Sequence, residues 1–159
     1  MFEKKAFFAF KQLASHAVGY ENEDQHDRHK IKEKDCSTSV YYEKGLWKYH
    51  DNYFGGEPYG GREVIFYDNQ PVHIIVYYGW VNKNEDADLI YGFLRKALQI
   101  NTDPSYPRGP KKYKEGKFMY KNKQRGDIIC FSGKEVIYQN KKQIYEAIYA
   151  GGLVDQLKL

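Results

Sequence analysis

The chain of 159 residues is long enough for one domain with a single core, and its two cysteines exclude a disulfide framework and a four-thiolate zinc site. Aromatic residues make up 17% of the chain and include 16 tyrosines, which favours pleated strands over an all-helical bundle. The formal net charge of +4 is small and its signs are interspersed, so it does not by itself indicate a nucleic-acid partner and does not exclude one. Such mild basicity is consistent with an anionic ligand.

The beginning of the chain and its hydropathy predict where the protein resides. The opening MFEKKAFFAFKQL carries charges where a secretory signal needs an unbroken apolar stretch. No apolar run approaches the roughly 20 residues that span a bilayer. The sequence therefore predicts a cytoplasmic protein that does not associate with membranes.

Periodicity predicts the elements of the first half. Residues 3–17 have apolar residues at helical spacing, and the polar tract 21–35 that follows is expected to be a mobile loop. The period then changes to two, and residues 68–71 predict a tight turn between the last two of four strands. The predicted strands are 39–43, 46–54, 62–68 and 71–80.

The second half repeats this order. Residues 86–99 return to helical spacing, with Asp86 as the N-cap, and a proline-broken loop follows. Four more strands are predicted at 111–114, 117–121, 127–139 and 143–152.

The two groups of strands match each other at a constant offset of 71 positions. The matched positions are Gly45, Trp47, Tyr49, Tyr67 and Asn69 with Gly116, Phe118, Tyr120, Tyr138 and Asn140. We therefore predict a single α+β domain, residues 1–159, with an antiparallel sheet built from two duplicated helix-plus-meander halves. The halves are about 3–80 and 86–152, and both helices pack on one face of the sheet.

A repeated unit lets one half serve as a control for the other. Glu63 and Glu135 occur in both halves, which favours a structural role for these carboxylates. The stretch YHDNYFGGEPYGGRE (49–63), by contrast, has a histidine, an aspartate and two aromatic rings that the second half lacks. Because strand neighbours alternate, we expect Tyr53 to face a binding site and Phe54 to pack in the core.

Arg108 is the strongest candidate for an anion-binding side chain. It lies between two prolines, which hold the backbone and so fix the guanidinium for bidentate capture of a carboxylate or phosphate. Arg62 would add a second positive group, and Tyr78 and Trp80 would provide stacking surface. Together with Tyr53 these residues predict a non-enzymatic domain that binds a small anionic, nucleotide-like ligand without a cofactor.

Two other classes of function stay open. One is a protein- or nucleic-acid-interaction module, a homo-oligomer included, that uses a face rich in tyrosine and lysine. The other is a hydrolase or lyase in which His50 acts with Asp51 or Glu63 as general base.

The remaining histidines and the second cysteine favour structural roles. His26 and His29 lie in a strongly charged tract, where solvation is more common than metal binding, so no metal site is predicted. His73 and Cys130 lie in apolar strands, which favours a packed imidazole and an inert buried thiol.

The chain contains an ordered set of glycine-containing motifs, which include YEKGLWKYHDNYFGG (42–56), GREVI (61–65), PVHIIVYYG (71–79), PRGP (107–110) and IYAGG (148–152). This set resembles a bacterial domain of unknown function that occurs alone or behind a Cro/repressor-type helix-turn-helix. The chain differs from the family pattern at His73, Val76 and Ala150, where tryptophan, asparagine and histidine are expected. The resemblance covers about residues 4–153 and implies no particular activity.

Overall fold

A computed structural model describes residues 3–19, 30–100, 103 and 106–155 of the chain. These residues form one antiparallel sheet of nine strands with two helices, as predicted for an α+β protein. The helices are α1 (Lys4–Gly19) and α2 (Ala87–Gln99). The strands are β1 (Lys30–Lys32), β2 (Thr38–Lys44), β3 (Trp47–Phe54), β4 (Tyr59–Tyr67), β5 (Gln70–Val81), β6 (Lys112–Glu115), β7 (Phe118–Gly126), β8 (Cys130–Gln139) and β9 (Lys142–Leu153).

The strand order across the sheet is β1-β2-β3-β4-β5-β9-β8-β7-β6. Strands β2–β5 and β6–β9 each follow the chain as a meander, and the two meanders meet where β5 pairs with β9. Two-residue turns with positive φ at Asp68–Asn69 and Asn140–Lys141 close the last hairpin of each meander. Within the described residues, one helix precedes each meander, in the order that the sequence predicts.

Both helices cover the same face of the sheet, which we call the inner face. On α1, Phe7, Phe10 and Ala14 are buried against Ile65 and Val72. On α2, an apolar stripe of the same spacing packs on the second meander, and Asp86 caps the helix by accepting a hydrogen bond from the backbone N–H of Leu89 at 3.0 Å. The buried residues of this stripe are Ile90, Phe93, Leu94, Ala97 and Leu98.

The polar tract 21–35 lies only partly in the described residues, because residues 21–29 fall outside them. Its last part differs from the expected loop, since Lys30–Lys32 form the edge strand β1 and pair with β2. A turn follows in which Asp35 accepts hydrogen bonds from the backbone N–H (3.0 Å) and the hydroxyl (2.6 Å) of Ser37. A strand of three residues is too short to produce a recognisable alternating pattern, so the sequence did not predict β1.

Two residues lie on the surface rather than in the core, contrary to expectation. Phe54 is half exposed because even-numbered residues of β3 point to the outer face, which no helix among the described residues covers. Cys130 is exposed because it pairs with Gly152 on the outer face, whereas the next residue, Phe131, is buried on the inner face.

Candidate functional site

A cavity of about 310 Å³ lies between the two helices and the inner face of β3–β5. Tyrosine rings and ionisable groups dominate its lining, which is unusual for space beneath amphipathic helices. The tyrosines are Tyr49, Tyr53, Tyr59, Tyr77 and Tyr91; the ionisable groups are Lys11, Lys30, Asp51, Glu63, Arg95 and Arg108.

Two carboxyl groups stand side by side on the floor of the cavity. Asp51 on β3 is the direct cross-strand partner of Glu63 on β4, and Tyr77 on β5 donates a hydrogen bond to Asp51 Oδ1 at 2.5 Å. Burial, with the neighbouring Glu63 charge as a second cause, raises the pKa of Asp51 to about 7. Near neutral pH this carboxyl is therefore close to the midpoint of its titration.

Arg108 lines the cavity, and two glutamate carboxylates neutralise its charge. Its side chain is only 5% exposed, and the guanidinium contacts Glu135 at 3.1 Å (Nε to Oε2) and Glu63 at 3.5 Å (NH1 to Oε1). The guanidinium also lies over the Tyr77 ring, 4.8 Å from its centroid. Tyr120 donates a hydrogen bond of 2.6 Å to the other oxygen of Glu135, so this carboxylate is fully occupied inside the protein.

Lys11 is a cavity residue that sequence reasoning missed. It lies on α1 four residues after Phe7, its side chain is half-buried, and its ammonium group donates a hydrogen bond to the Pro107 carbonyl. Burial lowers the pKa of Lys11 to about 8, although the Glu63 charge opposes this change. A lysine at a core position of an otherwise apolar helix face was the signal that could have identified it.

The wall of the cavity near α2 consists of linked tyrosines. Tyr59 and Tyr145 share a hydrogen bond of 2.6 Å between their hydroxyls, and the Tyr59 ring meets the Tyr91 ring edge-on at 5.5 Å. Tyr91 donates to Glu57, whose other oxygen accepts the backbone N–H of Val81 at 2.8 Å. These bonds hold the rings in place before any ligand is present.

The structure brings together only some of the predicted site residues. Tyr53 and Arg108 line the cavity, as do Asp51 and Glu63. The predicted binding residues Arg62, Tyr78 and Trp80 instead lie on the outer face, because Arg62 pairs with Asn52 and Val76 while Asp51 pairs with Glu63. A single pocket containing all five predicted ligand-binding residues does not form.

His50 is also on the outer face, so it does not act with Asp51 or Glu63 across the strand. Its ring stacks on Tyr41 at 4.4 Å between centroids, and Nε2 is 3.2 Å from the Ser39 hydroxyl. Burial lowers the pKa of His50. The acid–base arrangement expected for a His50-dependent hydrolase or lyase is therefore not assembled.

Among the residues that the structure describes, no group of three or more histidine, cysteine, aspartate or glutamate side chains is arranged to hold a metal ion. His26 and His29 lie outside the described residues. Within the same residues, neither helix is long and apolar enough to cross a membrane.

Asp51→Asn should make the protein more stable at pH 8 and leave its stability at pH 4 nearly unchanged. The raised pKa of Asp51 means that the folded state holds a proton which the unfolded state releases between about pH 4 and pH 7. Stability from this group is thus present at low pH and lost as pH rises through the folded pKa. Thermal melting from pH 4 to 8 tests this prediction, and a variant less stable than the native chain at pH 8 would contradict it.

These features define an α+β domain with a cavity between its helices and its sheet, lined by tyrosines and ionisable side chains. Residues 51–154 match a family described as "Domain of unknown function (DUF5680)", and the chain belongs to this family. No curated protein and no solved structure matches the chain.

Proposed function

We propose that the chain is a non-enzymatic, cytoplasmic domain that binds a small anionic, nucleotide-like ligand in the cavity under α1 and α2. The observation that carries this proposal is the cavity of about 310 Å³, which is large enough for a small ligand and is lined by rings and cationic groups. A site of this kind suits a sensory domain, and the resemblance to a bacterial domain found behind a helix-turn-helix fits such a role.

The charges that line the cavity favour an anionic ligand, but Arg108 is not the residue that would bind it. Arg108 is already neutralised by Glu63 and Glu135, so a ligand would have to compete with two carboxylates for it. Asp51 is partly protonated at neutral pH because its pKa is about 7. The positive charge that lines the cavity then exceeds what the cavity's own acidic groups balance, and Arg95 would hold the anionic group.

The rings provide the second part of the recognition. Tyr53, Tyr59 and Tyr91 line the cavity, and Gly55 and Gly56 beside them let the backbone approach a ligand closely. A flat, aromatic ligand would stack on such rings, and the phenol groups would offer hydrogen bonds at the edges. This combination is the reason for preferring a nucleotide-like molecule to a simple inorganic anion.

We further propose that the two meanders derive from one duplicated unit and that binding belongs to the first. Tyr149 donates its hydroxyl hydrogen bond to Asn122 at 2.8 Å, as Tyr77 donates to Asp51. Asn122 is buried and also donates to the Gly109 carbonyl at 3.0 Å, so this amide serves the fold. Asp51 occupies the matching position with a titratable group that faces the cavity, which supports a functional role.

The outer face favours a second candidate function, a protein-interaction module that includes self-association. Phe54, Val76, Tyr78 and Ile148 are each about half exposed there, and cross-strand pairing places Tyr78 directly beside Ile148. A contiguous apolar patch on the surface is a feature of protein-interaction sites. Concentration-dependent light scattering separates this candidate from ligand binding.

Arg95→Ala should weaken the binding of nucleoside monophosphates by about tenfold to a hundredfold, because one charge-assisted hydrogen bond contributes about 1.5–3 kcal/mol. Isothermal titration calorimetry measures the effect, with mass spectrometry of retained small molecules guiding the choice of ligand. Arg62→Ala is the matched control, since Arg62 is on the outer face and should leave affinity unchanged. Equal losses in both variants, or tight DNA binding with a steep salt dependence, would contradict the proposal.

A further inference from the structure

The position of Lys11 is not explained by the packing of α1. Phe7, Phe10 and Ala14 are all at most 3% exposed, and Lys11 lies in the same helical stripe. The stripe of α2 has the same spacing in Ile90, Phe93, Leu94 and Ala97, with the buried Leu94 in the place of the lysine. In α2 an apolar side chain is enough to pack this position of the stripe. The amine at the same position of α1 is therefore not required for packing.

The surroundings of Lys11 suit an amine that reacts. The side chain lines the same cavity as Asp51, Glu63 and Tyr53, so the amine and two carboxyl groups share one cavity. Its hydrogen bond to the Pro107 carbonyl orients the nitrogen, and the Glu63 charge only partly offsets the effect of burial on the pKa of the amine. A desolvated amine of this kind is the form of lysine that attacks carbonyl compounds.

The protonation state of Lys11 also favours a reactive amine. With its pKa lowered to about 8, Lys11 has roughly a quarter of its amine unprotonated at pH 7.5. An ordinary surface lysine has only about 0.1% of its amine in that form at the same pH. The difference in free amine is roughly two-hundredfold.

We propose that Lys11 forms an imine with a small aldehyde or ketone that also carries an acidic group. The Nζ lone pair attacks the carbonyl carbon, and one proton moves from the nitrogen to the carbonyl oxygen to give a neutral carbinolamine. The hydroxyl then leaves as water with a proton from the Asp51 carboxyl while the C=N bond forms, and the iminium nitrogen returns its remaining proton to the Asp51 carboxylate. One amine and one carbonyl give one imine and one water, with no oxidant or reductant. This inference rests on the proposed function only in taking the ligand's acidic group to be held by Arg95.

The test uses the native full-length chain and pyridoxal 5′-phosphate, an anionic aldehyde, at a low molar ratio. Sodium cyanoborohydride supplies hydride to trap any imine as a stable secondary amine, and peptide mass spectrometry locates it. Lys11 should be labelled at least tenfold faster than Lys30, which also lines the cavity, and faster than exposed lysines such as Lys44. The rate at Lys11 should rise with a midpoint near pH 8, whereas surface lysines should still be accelerating at pH 10.

Two variants separate chemistry from folding. Lys11→Arg keeps a donor for the Pro107 carbonyl but has no nucleophilic amine, and Lys11→Met keeps the length of the side chain. Either variant, if folded by circular dichroism, should lose the fast label. Labelling spread evenly over surface lysines would overturn the imine proposal. If nucleoside monophosphates still bind in that case and Arg95→Ala still weakens them, the binding function stands without the imine.

Discussion

Replacing Arg108 by alanine should lower the free energy of unfolding by about 3–5 kcal/mol, because it leaves the carboxylates of Glu63 and Glu135 without their counter-ion. Glu135 is fully buried, so no solvent can replace the lost guanidinium. The stacking of Arg108 over Tyr77 is lost as well. Chemical denaturation monitored by tryptophan fluorescence measures the change.

The controls for this prediction distinguish a structural arginine from a ligand-binding one. Arg62→Ala on the outer face should change the unfolding free energy by no more than about 0.5 kcal/mol. The triple variant Arg108→Met, Glu63→Gln and Glu135→Gln removes all three charges and should recover part of the loss. An Arg108→Ala protein with native stability and no ligand binding would instead restore the sequence-based interpretation of Arg108 as the anion-binding residue.

The order and type of the elements, apart from the short strand β1, followed from the sequence because they depend on local periodicity. Helical spacing over residues 3–17 predicted α1, and the period of two that begins at residue 39 predicted the first meander. Alternation also predicted correctly that Tyr53 shares a face with Tyr49 and Asp51. These predictions required no knowledge of distant contacts.

Alternation alone cannot tell which face of a strand the helices cover. Phe54 was expected in the core and Tyr78 in the pocket, yet both lie on the outer face. The choice is made by where the two helices dock, and that depends on pairing between β5 and β9 across the middle of the sheet. Strand pairs about 70 residues apart leave no sign in a local pattern.

The partners of the charged groups could not be predicted from the sequence either, because they lie far away along the chain. Arg108 contacts Glu63, 45 residues away, and Lys11 contacts Pro107, 96 residues away. The two prolines correctly indicated that the loop around Arg108 is held, but not that its guanidinium faces two carboxylates rather than a ligand. Lys11 was visible only as an interruption of an apolar stripe.

The buried imidazole of His73 should make the protein less stable as the pH falls below about 6.5. His73 is only 1% exposed and lies between the rings of Phe7 (5.1 Å) and Phe131 (5.7 Å). Its Nε2 atom has no hydrogen-bond partner within the described part of the chain. Burial in these apolar surroundings, with a smaller effect from the Lys11 charge, lowers the pKa of His73 to about 3.

The sign follows from which state binds the proton. Between about pH 6.5 and pH 3 the unfolded chain protonates this histidine and the folded chain does not, so stability falls with pH by about 1.4 kcal/mol per unit. Asp51 acts in the opposite direction over much of the same range, since its raised pKa favours the folded state at low pH. The pH profile of the native chain therefore mixes two opposed contributions.

The difference between His73→Phe and the native chain isolates the histidine. The phenylalanine keeps an aromatic ring between Phe7 and Phe131 and has no group to titrate. The variant's stability relative to the native chain should rise steadily as pH falls from 6.5 to 4, by about 3 kcal/mol in all. Asp51→Asn is the matched control, because its difference from the native chain should change with the opposite slope. A His73→Phe difference that stays constant from pH 7 to pH 4 would mean that the folded protein protonates His73 as readily as the unfolded chain does.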